Sequence, residues 1–128
     1  MGKVNQNPET KAKIQDNLAN EIFEKLSVRF GKEKVEKWQK EFAPRKLNII
    51  EVEDKIAVLR PVTADEVANY SMMVANEEIG LAKASKFLID ELWIDGDREL
   101  SDDDEYFIST MLQIQRTMEL KKSNFYRV

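Results

Sequence analysis

Seven carboxylates crowd the segment from Asp95 to Glu105, namely Asp95, Asp97, Glu99, Asp102, Asp103, Asp104 and Glu105, against one base, Arg98. The chemistry such a cluster offers is oxygen ligation of a hard divalent cation, so a calcium loop is the first arrangement to test. An EF-hand loop needs oxygen ligands at its first, third and fifth positions and glycine at its sixth; placing Gly96 sixth puts Trp93 third and Asp102 last, and the pattern fails. Two readings stay open for these acids. Either they cap helices, pair with helix dipoles and coat a solvated face, or Asp102, Asp103 and Asp104 form an acidic docking surface for another protein.

Bond-making chemistry finds few other candidates. The chain has no histidine, the side chain most often used for proton transfer near neutral pH, and no cysteine, so a thiolate nucleophile, a thiolate metal site and a disulfide framework are all excluded. Its serines, Ser27, Ser71, Ser85, Ser101, Ser109 and Ser123, sit in no nucleophile-elbow pattern, and no glycine-rich phosphate loop is present. The expectation is a protein that is not an enzyme and takes no cofactor or metal.

A basic stretch stands apart from the acidic one. Between Lys25 and Lys46 lie eight bases against three acids, with Trp38 and Phe42 interleaved. That composition suits a nucleic-acid patch, yet the aromatics fall at core-facing helical spacing and alternating Lys and Glu clothe any exposed helix. The same stretch can also meet the acidic segment of a second copy. Met72, Met73, Met111 and Met118 lie at helical positions with other apolar residues, where they either fill an irregular core or line an adaptable partner-binding groove.

These residues need elements to position them. Asn7-Pro8-Glu9 opens a helix, and Ile14, Leu18, Ile22, Leu26 and Phe30 recur every four residues along it as one oblique apolar stripe, widened by Phe23, before Gly31 stops it. This stripe precedes the rest of the fold and is the preferred interaction face, though it serves a core equally well. Val35, Trp38 and Phe42 predict a second, shorter helix that ends before Pro44. From Leu47 the texture turns β-branched: Leu47–Val52 and Lys55–Arg60 flank Glu53-Asp54 and predict an antiparallel hairpin. Two strands alone are marginal, so the hairpin must pack on helices or gain a strand from a partner.

Thr63-Ala64-Asp65-Glu66 has capping-box spacing and predicts a helix covering Val67, Tyr70, Met73 and Val74, interrupted at Asn76–Gly80. Leu81–Trp93 reads as the next helix, with Leu81, Ala84, Leu88 and Leu92 on one face and Phe87 and Ile94 beside them. Asp95-Gly96-Asp97 reads as a turn, and Ser101 as the cap of a last helix carrying Phe107, Met111, Ile114 and Met118. The tail Lys121–Val128 is expected to fray.

The predicted fold is therefore α+β and mostly helical: one hairpin packed against a C-terminal three-helix block, preceded by two N-terminal helices. A chain of 128 residues with 42% hydrophobic and 34% charged side chains is read as one domain, with a helical arm at 1–45, an α+β core at 46–120 and a tail at 121–128. Charge is uneven, since residues 1–60 carry 13 Lys and Arg against 10 Asp and Glu, and residues 61–128 carry 7 against 14. No apolar run approaches a membrane span and residues 1–6 hold no apolar block like a signal peptide, so a cytoplasmic protein without a membrane partner is expected.

Leu59-Arg60-Pro61-Val62-Thr63, a helix pair, Leu92-Trp93-Ile94-Asp95-Gly96-Asp97 and then Asp102-Asp103-Asp104-Glu105-Tyr106-Phe107 resemble the small tail-assembly-chaperone-like proteins of tailed bacteriophages and prophages. The resemblance spans about residues 47–120. It implies a protein without catalytic residues, made in the bacterial cytoplasm, that escorts an aggregation-prone phage protein, in that family the long tape-measure protein. It transfers no binding residue by motif. From the residues, the expected protein-binding positions are Ile14, Leu18, Ile22, Leu26, Phe30, Trp38, Asp102, Asp103 and Asp104. The alternatives are a self-assembling structural component of the virion and a nucleic-acid-binding protein that uses residues 25–46; a protein partner is preferred over nucleic acid.

Overall fold

The computed structural model describes residues 8–118 and 126–128. The expected cap Asn7 and residues 121–125 of the tail lie outside the described residues. The chain divides into two compact units, Met1–Pro44 and Arg45–Val128.

The first unit is a helical pair. α1 (Pro8–Phe30) and α2 (Lys32–Phe42) are joined by Gly31 alone, whose φ of 95° is open to glycine and strained for other residues. Its N–H donates to the Ser27 carbonyl at 2.9 Å, and its own carbonyl accepts from the Val35 N–H at 3.2 Å, so the connection wastes no backbone group. Leu26, Val35 and Trp38 are buried, and the Phe30 ring meets Trp38 edge-on at 5.4 Å between centroids.

The second unit holds the α+β architecture. β1 (Asn48–Val52) and β2 (Lys55–Leu59) form the predicted hairpin, in a register that sets Ile50 opposite Ala57 and Val52 opposite Lys55. Glu53 takes a φ of 55° in the two-residue connection, a position normally given to glycine or asparagine. Ile50, Ala57 and Leu59 face a core shared with Tyr70, Ala84, Leu88, Ile89, Leu92, Leu100 and Ile114. The core is supplied by three helices, α3 (Ala64–Ala75), α4 (Gly80–Leu92) and α6 (Asp104–Thr117), and by the one-turn α5 (Glu99–Asp102). The class is α+β and mostly helical, as the residue pattern predicts.

Two local expectations are corrected. Trp93–Gly96, read as a helix end running into a turn, is a third strand, β3, which pairs antiparallel with β2 and gives the order β1-β2-β3. The cause is long-range. Ile56, Ala57, Val58 and Leu59 are all buried, so the β2 edge away from β1 needs backbone partners that water does not supply. The Asp97 carboxylate accepts the Ile56 N–H at 2.9 Å, the Asp97 N–H donates to the Ile56 carbonyl at 2.9 Å, and the Arg60 N–H donates to the Leu92 carbonyl at 2.9 Å. Gly96, at φ 138°, lies so close to β2 that a β-carbon there would stand 2.4 Å from the Ile56 carbonyl oxygen.

The second correction concerns the last helix. The chain breaks at Asp103, whose carboxylate accepts from the Glu105 N–H at 3.0 Å and caps α6, while Ser101 is buried one turn earlier in α5. A carboxylate and a serine hydroxyl can each satisfy a free donor at this position, but only the carboxylate also brings a negative charge to the positive end of the helix dipole.

Two substitutions test these turns. Gly96→Ala should destabilise the fold by about 2–4 kcal/mol or more, because β3 must lift away from β2 to admit the methyl group. Glu53→Asn should instead stabilise it by about 0.5–1 kcal/mol, by relieving the positive φ. Urea denaturation of the two variants against the parent checks both signs.

Candidate protein-docking surfaces

The α1 stripe is not uniform. Ile14 is 51% and Leu18 55% exposed, Ile22, Phe23 and Phe30 are half-buried, and Leu26 is 4% exposed. Length explains part of this within the helical pair: α1 has 23 residues and spans about 35 Å, whereas the 11 residues of α2 span about 17 Å and can back only half of it. The N-terminal half of the stripe is left as an open apolar ridge on a helix.

A second apolar surface runs between α3 and α4. A cleft of about 140 Å³ is lined by Glu66, Asn69, Tyr70, Ala84, Phe87, Leu88 and Glu91, and an adjoining hollow shares Asn69 and Phe87 and adds Met72, Met73, Asn76 and Ile79. Phe87 is 51% and Met72 71% exposed. The expectation that Phe87 flanks the buried face of α4 fails, because Ala84, Ser85, Leu88, Ile89 and Leu92 fill the core-facing positions and turn residue 87 outward. The helical wheel carried that signal: Phe87 shares its side with Lys83, Asp90 and Glu91, all exposed. Methionine beside an aromatic ring gives this furrow an adaptable, polarizable wall.

An ion pair absent from the sequence reading holds the furrow's upper wall. Arg60, at the end of β2, forks onto Glu66 in the first turn of α3, with Nη1 to Oε1 at 2.9 Å and Nη2 to Oε2 at 2.5 Å. Glu66 also closes the predicted capping box: its carboxylate accepts the Thr63 N–H at 2.9 Å while its own N–H donates to the Thr63 hydroxyl at 3.2 Å. The Arg60 fork, aided by the Thr63 N–H and opposed by partial burial, holds the Glu66 carboxyl down at about 2.

The acidic segment is largely engaged inside its own unit. Asp102 receives Lys86 Nζ at 2.7 Å and stands 3.6 Å from Arg98 Nη2, and these cations, Lys86 first, hold its carboxyl below the usual range. Lys86 Nζ also donates to the Ser101 hydroxyl at 2.6 Å, Ser101 donates to Asp90 at 3.1 Å, and Arg98 lies 4.4 Å over the Trp93 ring. Asp103 is spent as a helix cap, and Asp104 is exposed in the first turn of α6. The nine expected binding residues thus fall in three settings: Ile14 and Leu18 open, Leu26 and Trp38 buried with Ile22 and Phe30 half-buried, and Asp102, Asp103 and Asp104 at the α5–α6 junction. In the basic segment Lys32, Lys34, Lys37 and Lys40 are exposed, but Trp38 is 8% exposed, and a base needs an open ring to stack on.

Comparison with protein-family models, with curated proteins and with solved structures finds no match. The surfaces therefore carry the functional argument by their own chemistry.

The Arg60–Glu66 pair gives a pH signature. Because the folded carboxyl sits near 2 against an ordinary 4.5, its contribution is complete above the unfolded value and is lost as pH falls through 4.5 towards 2. After discounting for solvent screening, Glu66→Gln should cost about 1–2 kcal/mol at pH 7 and flatten the stability profile between pH 5 and 2. Thermal melts of parent and variant across that range provide the check.

Proposed function

We propose that this chain is a non-enzymatic protein-binding factor of the tail-assembly-chaperone kind, which holds an apolar helical segment of a larger phage protein during assembly in the host cytoplasm. One observation carries the reading: Ile14 and Leu18 stand more than half exposed along a helix whose buried half is already packed. A helix segment without tertiary backing is marginal in water, so an open apolar ridge of this kind favours a macromolecular partner. The furrow with Phe87 and Met72 supports the same reading, since helix-in-groove recognition uses an apolar trough with methionine in its wall.

The residue inventory points the same way, because a chain without histidine or cysteine holds neither the usual neutral-pH proton shuttle nor a thiolate nucleophile. The order of residues from Leu59 to Phe107, similar to that of phage tail-assembly-chaperone-like proteins, supplies the client class: a long, helical, aggregation-prone protein of the tape-measure type.

The test is co-expression with the tape-measure-type protein of the same phage. The client should move from pellet to supernatant and co-elute with the chain. Leu18→Glu should cut co-elution at least tenfold while leaving the melting temperature within a few degrees, because residue 18 is 55% exposed and such surface changes cost about 0.5 kcal/mol or less. Failure of the parent chain to retain the client, or full retention by the variant, would sink the proposal.

A further inference from the structure

The α3–α4 furrow is apolar along its middle and acidic at both ends. Met72, Met73, Ile79 and Phe87 line the middle. At one end Glu91 lines the cleft, is exposed and forms no ion pair among the described residues. At the other, Glu77 and Glu78 are exposed in the turn between Asn76 and Ile79, two residues that line the hollow. We infer that the occupant of this furrow is a basic amphipathic helix of the partner protein, whose apolar face is bracketed by two Lys or Arg residues about eleven positions apart. The inference rests on the reading that this chain holds a helical segment of another protein, and it says which face does so and what the segment carries.

Geometry sets the spacing. The first turns of α3 face the last turns of α4 across the cleft, through Glu66 and Glu91, while Met72 and Met73 meet Ile79 at the start of α4, so the furrow follows an antiparallel helix pair. From Gly80 to Glu91 α4 advances about 17 Å. A partner helix covers that distance in about eleven residues, or three turns, which returns the two bracketing bases to one face with two apolar residues between them. Lys83 lies one turn before Phe87, opposite the stretch where the partner presents apolar side chains, and its alkyl stem widens the wall there.

Charge selects the sign of the occupant. Residues 64–92 carry six acids, Asp65, Glu66, Glu77, Glu78, Asp90 and Glu91, against Lys83 and Lys86. Arg60 matches Glu66, while Lys86 and Asp90 are tied to each other and to Asp102 and Arg98. The exposed charge of the helix pair is then Asp65, Glu77, Glu78 and Glu91 against Lys83. A basic helix gains at both ends of such a furrow, and an acidic one is repelled at both. The chain's own helices do not qualify. Residues 14–25 of α1 hold Asp16, Glu21 and Glu24 against Lys25, and the basic α2 already buries its apolar residues Val35 and Trp38.

The probes are fluorescein-labelled synthetic helices of about 18 residues with one common apolar face. One carries Lys at the two bracketing positions, one carries Glu there, and a third has the composition of the first in scrambled order. Fluorescence anisotropy with the full chain should show the Lys peptide binding about tenfold or more tighter than either other peptide, with the margin over the Glu peptide shrinking between about 0.05 and 0.5 M salt. Glu91→Lys should weaken the Lys peptide about tenfold, and a peptide with Glu at the one position facing residue 91 should recover the loss. Phe87→Glu should abolish binding of every peptide; Phe87 is 51% and Met72 71% exposed, so circular dichroism should show an intact fold, and Met72→Asp serves as the second variant should Phe87→Glu unfold.

Equal binding of the Lys and Glu peptides, equal binding of the scrambled peptide, or parent-like binding by both Phe87→Glu and Met72→Asp would overturn the inference; the last outcome moves the contact to another face, the α1 ridge included. Client retention measured on the same preparations separates the two ideas. A chain that retains the client but ignores the Lys peptide sinks the furrow assignment alone. A chain that binds the Lys peptide through Phe87 and Glu91 but loses the client keeps the furrow assignment and sinks the functional reading.

Discussion

Everything in the second unit hangs on β2. It is buried at Ile56, Ala57, Val58 and Leu59, which is the pattern of a central strand, yet hairpin pairing with β1 alone leaves its other edge unpaired. Backbone donors and acceptors buried without partners would cost more than the hairpin gains, so a second neighbour is obligatory. β3 meets that demand with only four residues, and meeting it draws the end of α4, the Asp97 carboxylate and the start of α5 to the same edge. The position of the helices follows from this closure.

Much of the fold was legible because its signals are local. The capping box at Thr63 and Glu66, the two-residue connection at Glu53-Asp54 and the stop at Gly31 each express chemistry among near neighbours, and each is present in the structure. The apolar rows of α1 and α4 were legible for the same reason. What stayed hidden depends on distant partners. Trp93-Ile94-Asp95-Gly96 has weak strand propensity and becomes a strand only because β2 lies beside it. The Arg60–Glu66 fork joins a strand end to a helix start that no spacing rule connects. At the candidate surfaces, periodicity gave the row Ile14, Leu18, Ile22, Leu26 and Phe30 but not its division into open and covered halves, which is set by where α2 ends.

The charges follow a related logic. A stretch with seven acids reads as an exposed electrostatic feature, yet Asp97, Asp102 and Asp103 are tied to a strand amide, to Lys86 and Arg98, and to a helix start. Acids in this position act as fasteners between short elements that have too little apolar area to hold one another. Open apolar side chains lie on α1 and along α3 and α4, and also on α6 just beyond these acids, where Ile108 and Leu112 are exposed. Local density of charge thus does not by itself mark an open face, because most of these acids are already engaged.

The one-residue joint at Gly31 has a consequence for how this protein can vary. With no slack between α1 and α2, the phase of one helix is locked to the other, and each residue added to or removed from the middle of α1 turns everything upstream by about 100°. A single insertion between Leu18 and Leu26 would swing the open ridge to a different compass bearing while leaving the packed end untouched. An arm lengthened in this helix keeps the bearing of its ridge only when the added residues come close to a whole number of turns.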